Sequence, residues 1–217
     1  MKEIKKIKII LMNSSIELLP KEWENKKELK RIKKFFKYDI LDSNYHYTLM
    51  KNWNIKEKEK RGRPDIVHFS LLTLLDSLLN HEKRLEIYLH TINNLMFKIN
   101  PEVRLPRNYN RFLGIMEQLL KENNNPFFEK LNISVEEFLL KNSRKIALLT
   151  KNGKLIRKNE KEKLKEFDTF LIGAFPKGEI KLNQKIIKKT IEKISIYEKS
   201  LTAWTVCSII TNCLYFE

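Results

Sequence analysis

The chain is poor in the residues that build metal and redox sites. Only two cysteines and four histidines occur in 217 residues. Cys207 and Cys213 stand six apart in an apolar C-terminal segment with no histidine near them. On a helix that spacing turns them in different directions, so they read as small buried hydrophobes and not as a metal pair or a disulfide. His46, His68, His81 and His90 are scattered, without metal-ligand spacing and without a serine or cysteine partner in a recognisable motif. They read as structural, and no metal is expected. Gly-x-Gly-x-x-Gly and P-loop motifs are both missing, which argues against a Rossmann dinucleotide site and an NTPase. No apolar run is long enough to span a membrane. The N-terminal segment Met1–Asn13 turns polar after a few apolar residues, so it reads as a strand and not as a signal sequence. The expectation is a soluble, cytoplasmic protein.

Acidic residues are outnumbered. Lys+Arg total 43 against 27 Asp+Glu, for a formal net charge of +16. A charge of this size raises the local concentration of anions and speeds encounter with RNA. A lysine surface that is merely solvated, or a genome biased toward lysine codons, accounts for part of the excess. Arginine placement is more specific. The stretch Asn100–Phe112 reads NPEVRLPRNYNRF and carries Arg104, Arg107 and Arg111 at spacings of three and four, interleaved with Asn108 and Tyr109. Pro101 and Pro106 hold its first half extended and let a helix begin only afterwards. Guanidinium is a planar fork that binds phosphate through two bonds and stacks on bases, which ammonium does not do. The stretch therefore points to a polyanion, and with the net charge to nucleic acid.

The length suits one large domain or two small ones. Ile7–Met12 reads as a first strand, Lys21–Lys37 as a charged amphipathic helix, Lys51–Gly62 as an exposed charged loop and Ile66–Leu79 as an apolar helix started by Pro64 and Asp65. Leu85–Thr91 and Leu95–Ile99 read as a hairpin turning at Asn93-Asn94. A helix follows over Tyr109–Lys121, closed by the run Asn123–Pro126. Lys145–Thr150, Phe167–Ala174 and Ile191–Tyr197 read as strands separated by helix-compatible charged segments, the pattern of a parallel α/β sheet. Leu201–Phe216 reads as a helix apolar almost all round, relieved by Thr202, Thr205, Ser208 and Asn212, and expected to be buried in the core or a dimer interface.

Two further segments are candidates for chemistry. In Phe170–Ile180 (FLIGAFPKGEI), Gly173 and Gly178 bracket Pro176 and Lys177, so backbone can approach a ligand at both ends. Loops after parallel strands are the usual ligand positions, although an ordinary strand-to-helix turn has the same composition. In Arg63-Pro64-Asp65 the proline and aspartate suffice to start a helix. Asp65 is also placed to hold Arg63 in one orientation by a charge-assisted hydrogen bond, which prepares it for a phosphate or base.

These segments occur together in a known arrangement. Arg63–Ser77 (RPDIVHFSLLTLLDS), Tyr88–Leu120 (YLHTINNLMFKINPEVRLPRNYNRFLGIMEQLL), Leu171–Gly178 (LIGAFPKG) and Ser195–Trp204 (SIYEKSLTAW) resemble the ribosome-biogenesis family of pseudouridine N1-methyltransferases. That family is a branch of the SPOUT, or α/β-knot, superfamily, and the resemblance spans nearly the whole chain. It implies a single SPOUT-type α/β domain over residues 1–217, a trefoil-knotted parallel sheet flanked by helices. A hairpin and arginine insertion would occupy about residues 82–108, and the knotted cofactor-binding half about residues 145–217.

The implied cofactor is S-adenosylmethionine, held against Gly173, Ala174, Phe175 and Gly178 and the backbone of Ile196, Tyr197, Glu198, Lys199, Ser200 and Leu201, with Thr150 nearby. The implied partners are small-subunit rRNA and a second copy of the chain, with no membrane. Arg63, Arg104, Arg107 and Arg111 match the family's RNA-binding positions, and Asp65 matches the position that steadies the first of them. Arg63 and Asp65 are the catalytic candidates. One departure stands out: the family often has a proline just before the last helix, where this chain has Glu198-Lys199-Ser200. Two other readings remain from sequence: a SPOUT enzyme acting on another RNA atom such as a ribose 2′-oxygen, and a non-catalytic assembly factor.

Overall fold

Strands buried on both faces need near-continuous apolar runs, and the segment IKIILMNS supplies one. It forms β1 (Ile7–Ser14), with Ile7, Ile9 and Leu11 turned to one face of the sheet and Ile10 and Met12 to the other. The computed structural model describes residues 6–122, 125–180, 182 and 191–216. Within them β1, β2 (Leu85–Thr91), β3 (Met96–Ile99), β4 (Phe128–Leu131), β5 (Ile146–Leu155), β6 (Thr169–Gly173) and β7 (Ile191–Ser195) form one sheet in the order β4-β3-β2-β1-β6-β5-β7. The five strands from β2 to β7 in that order are parallel, and β3 and β4 add an antiparallel edge. The hairpin turns where expected, with Asn94 at φ 60° and Thr91 donating to the Leu95 carbonyl.

The helices are α1 (Lys27–Ile32), α2 (Ser43–Asn52), α3 (Pro64–Leu75), α4 (Leu78–His81), α5 (Tyr109–Glu122), α6 (Val135–Asn142) and α7 (Ala203–Tyr215). On one face of the sheet α3, α5 and α7 bury Ile66, Leu71, Phe112, Met116, Cys207 and Ile210 in a single cluster. On the other, α6 covers Ile10, Met12 and Leu171 with Val135, Phe138 and Leu139. The expected burial of α7 is met along one side, where Ala203, Cys207, Ile210, Thr211 and Leu214 are buried. Cys207 is a free thiol and wholly buried.

Several expectations are revised. The single helix over Lys21–Lys37 is instead a 3-10 turn at Lys21–Trp23 followed by the six-residue α1. Trp23 and Leu29 both enter a small cluster with Leu41, Leu49 and Met50, and six residues along one straight helix would turn them about 120° apart. The helix expected at Ile66–Leu79 breaks after Leu75, and Ser77 caps α4. α2, β4 and α6 are elements beyond those expected from the sequence. The Lys51–Gly62 segment is exposed for the most part, but Lys60 is only 3% exposed. Of the helix-compatible stretch expected between the last two strands, residues 181 and 183–190 lie outside the described residues. No helix among the described residues is long and apolar enough to cross a membrane, and no group of acidic, histidine or cysteine side chains among them is placed to hold a metal.

One close approach governs the last third. Leu149 and Lys154 both register with Ile194, so residues 150–153 bulge out of β5. Gly153 lies so close to β7 that a Cβ there would sit 2.5 Å from the Ile194 carbonyl carbon. Only glycine fits such a crossing.

Candidate active site

The loops that follow parallel strands β5, β6 and β7 open onto one cleft of about 720 Å³. Nine of the eleven residues expected around the cofactor line it: Thr150, Gly173, Phe175, Gly178, Ile196, Tyr197, Lys199, Ser200 and Leu201. Ala174 does not. It is fully buried behind the loop, donating to the Met12 carbonyl at 3.0 Å and accepting from Ser15 N–H at 2.9 Å. Glu198 is exposed and outside the lining. The loop geometry requires glycine at 178 and leaves little room at 173. Gly178 has φ 115°, and a Cβ on Gly173 would meet the Phe175 ring at 2.8 Å. Ser195 Oγ donates to the Tyr197 carbonyl at 2.7 Å and so turns the chain at the end of β7. Across the rim, Asn152 Nδ2 donates to Glu179 Oε1 at 2.9 Å. That contact, and Lys60 beneath the loop, had no signature in the sequence.

Arg63 stands at the N-cap of α3, with Pro64 in the first turn. Its Nε and Nη2 donate to the two carboxylate oxygens of Asp65 at 2.8 and 2.7 Å. This two-bond pairing with Asp65 pushes the guanidinium pKa up and fixes its plane. The Arg63 side chain stays 38% exposed, so one edge of the fork remains available to a ligand.

The arginine stretch runs beside it. Val103 and Leu105 are buried while Arg104 and Arg107 are exposed, the alternation of an extended chain laid on a surface. Asn108 Oδ1 accepts from Arg111 N–H at 3.1 Å and so caps the start of α5. None of the three guanidiniums makes an ion pair or hydrogen bond among the described residues. Two buried contacts pin the stretch from behind. His68 Nε2 lies 2.7 Å from the Pro106 carbonyl, and its ring stacks on Phe112 at 4.3 Å. Burial lowers the His68 pKa, so the neutral ring donates Nε2–H to that carbonyl. Tyr109 donates its hydroxyl to Asp42 Oδ2 at 2.7 Å, and Asp42 also caps α2 by accepting from Asn44 N–H. Burial beside Asp42 pushes the Tyr109 pKa far up, so the phenol stays protonated and keeps donating. His68 is structural, as expected, but its task is specific: it ties the helix that starts at the Arg63 motif to the arginine stretch.

The comparisons with known proteins converge. Residues 9–215 match the family described as EMG1/NEP1 methyltransferase. A protein of Staphylothermus marinus described as ribosomal RNA small subunit methyltransferase Nep1 is 40% identical, over 93% of this chain and 92% of that protein. Its counterpart in Sulfurisphaera tokodaii is 38% identical over 96% and 97%. Among solved structures, Archaeoglobus fulgidus Nep1 bound to S-adenosylhomocysteine superposes with a TM-score of 0.80 at 30% identity, covering 96% of each chain. The α/β fold inferred from the sequence is thus the fold of that structure, and the chain belongs to the EMG1/NEP1 methyltransferase family.

Proposed function

We propose that this chain transfers the methyl group of S-adenosylmethionine to N1 of a pseudouridine in a loop of small-subunit rRNA, as one domain whose cofactor half begins near residue 145. The observation that carries the reading is the Arg63–Asp65 pair, a guanidinium fixed in one plane yet open to solvent. Relatives described as small-subunit rRNA methyltransferases, and a similar structure bound to the demethylated cofactor, support the substrate and donor. The cleft beside Gly173–Gly178 fits such a donor. Its volume is in the usual range for small-molecule sites, and both glycines leave backbone bare toward it.

The donor, when bound, supplies a methyl group already activated by a sulfonium. The chain's own task is therefore to position the acceptor and make it nucleophilic. Pseudouridine joins its ribose through carbon, which leaves N1 with a proton that uridine lacks. Loss of that proton to solvent water puts negative charge on the ring, and Arg63 stabilises it as oxyanion donors do. Asp65 orients Arg63. A carboxylate already paired through both oxygens is a weak base, which favours orientation over proton abstraction. Arg104, Arg107 and Arg111, all exposed, grip the RNA backbone while the target base is splayed out of its loop. The working unit is a homodimer. Supporting this, Phe69 is 50% exposed on α3 with Trp204 of α7 at 5.4 Å, an apolar face suited to a second copy.

The test is transfer of labelled methyl to a short rRNA loop carrying pseudouridine and to its uridine twin. Label on the first alone is expected, and equal labelling of both overturns the N1 assignment. Asp65→Asn should lower the single-turnover rate and the RNA affinity together, because Arg63 serves both. Normal binding with chemistry lost would make Asp65 the base.

A further inference from the structure

We infer that Ser15 is a positioning residue for methyl transfer, holding the backbone of Arg63 at a fixed place relative to the cofactor loop. The inference rests on the roles of Arg63 and of the Gly173–Gly178 loop proposed above. Ser15 follows the last residue of β1 and is fully buried. Its N–H donates to the Ala174 carbonyl at 2.9 Å, and its Oγ accepts from Arg63 N–H at 2.8 Å. A single residue thus touches both halves of the site, 48 positions before Arg63 and far before Ala174.

Each bond is one that the local structure otherwise leaves unmade. The N-terminal N–H groups of a helix have no partner within the helix, and Ser15 satisfies the one at Arg63. The Asp65 carboxylate fixes where the guanidinium points. Ser15 fixes where the side chain starts.

The neighbouring residues act in the same sense. Arg61 Nε donates to Glu17 Oε1 at 2.8 Å, and Glu17, two residues after Ser15, is 2% exposed. Gly62 accepts from Ser43 N–H at 2.8 Å in a left-handed turn of φ 72°. The Lys60 stem packs on Gly178, and its ammonium lies 5.4 Å from the Phe175 ring centre. Residues 60–63 therefore form a strap fastened at one end to the cofactor loop and at the other to the end of β1. Ala174 is fastened to that same strand end through Met12 and Ser15. The strand end is a common datum for donor and acceptor.

An in-line displacement is sensitive to this distance. A misplacement of about 1 Å costs on the order of a hundredfold in rate without removing any binding contact. If Ser15 merely satisfied a buried amide, its loss would weaken the fold and every function in parallel. A positioning role separates rate from affinity.

Ser15→Cys keeps the side-chain shape but offers a weak acceptor, Ser15→Ala removes the acceptor, and Ser15→Thr restores an oxygen. Three quantities are read for each folded variant: affinity for S-adenosylhomocysteine, affinity for the pseudouridine-containing loop, and single-turnover methyl transfer. The Ala and Cys variants should transfer at least tenfold more slowly with both affinities within twofold of wild type, and Thr should recover most of the rate. Transfer within twofold of wild type in Ala and Cys, or a rate loss that tracks the loss of either affinity, overturns the inference. So does loss of the cooperative melting transition in all three, which would assign Ser15 to the fold alone. Wild type and Arg63→Ala run alongside. If wild type leaves the loop unlabelled, or Arg63→Ala transfers at full rate, the underlying reading fails and the inference falls with it. A wild type that labels the loop and an Arg63→Ala variant that does not, with a fully active Cys variant, reject Ser15 alone.

Discussion

Arg107→Ala offers a quantitative test of the proposed RNA grip. Arg107 is exposed and its guanidinium has no partner among the described residues, so its removal should leave the melting temperature unchanged within error. Binding should change in a defined way. Each phosphate of single-stranded RNA that is neutralised contributes about −0.7 to the slope of log affinity against log salt. Three such contacts, from Arg104, Arg107 and Arg111, give about −2. Raising salt from about 50 to about 200 mM then weakens the three-contact grip by about twentyfold, against about sevenfold with two contacts. The assay is fluorescence anisotropy of a labelled rRNA loop over that range, with S-adenosylhomocysteine affinity measured in parallel and expected to be unchanged. Arg107→Lys separates charge from shape: the slope should return while affinity stays below wild type, since ammonium lacks the planar fork. A salt slope in Arg107→Ala equal to that of wild type would refute the assignment of Arg107 to a phosphate.

Two other predictions concern the fold that carries the site. His46 is fully buried, and burial lowers its pKa to about 4 from 6.5, while its Nδ1 accepts from Asp42 N–H at 3.1 Å. A depressed folded pKa makes the unfolded chain the better proton binder between these values. The stability is thus full above about pH 6.5 and lost as pH falls toward 4, by up to about 3 kcal/mol. Urea midpoints should drop over that window in wild type and markedly less in His46→Asn, which keeps an acceptor and does not titrate; equal drops would refute it. Gly153→Ala should destabilise the chain by more than about 2 kcal/mol, because a methyl group there overlaps the backbone of β7. A melting temperature within a degree or two of wild type would show that the β5 bulge yields without cost.

Features carried by neighbouring residues were legible in the sequence. The Arg63–Asp65 pair spans two positions, the hairpin turn announces itself by two asparagines, and the start of α5 follows from Pro106 and Asn108. The glycine loop was legible for the same reason, since Gly173 and Gly178 mark close approaches locally. α6 carries a local signal: Ser134 followed three residues later by Glu137 is a capping sequence, and the Glu137 N–H to Ser134 Oγ bond is present at 3.1 Å. α1 misled because its charged pattern carries helical periodicity while tertiary burial of Trp23 bends the chain. The Asp42–Tyr109 and Ser15–Arg63 bonds cross 67 and 48 positions. Nothing in the composition around either partner specifies the other. Lys60 looked like one more solvated charge, and only the fold reveals that it lies under Phe175.

The strand order has a consequence for how the chain folds. β6 inserts between β1 and β5, so one edge of β1 stays open until residues 169–173 arrive to pair with it. At ordinary translation rates that wait lasts on the order of ten seconds. During it the apolar run Ile9–Met12 presents unpaired backbone to any other strand within reach. Pairings this distant in sequence form slowly. The vulnerable moment of this protein's life therefore falls before its site exists, and truncation anywhere ahead of Thr169 should yield a chain that aggregates through β1.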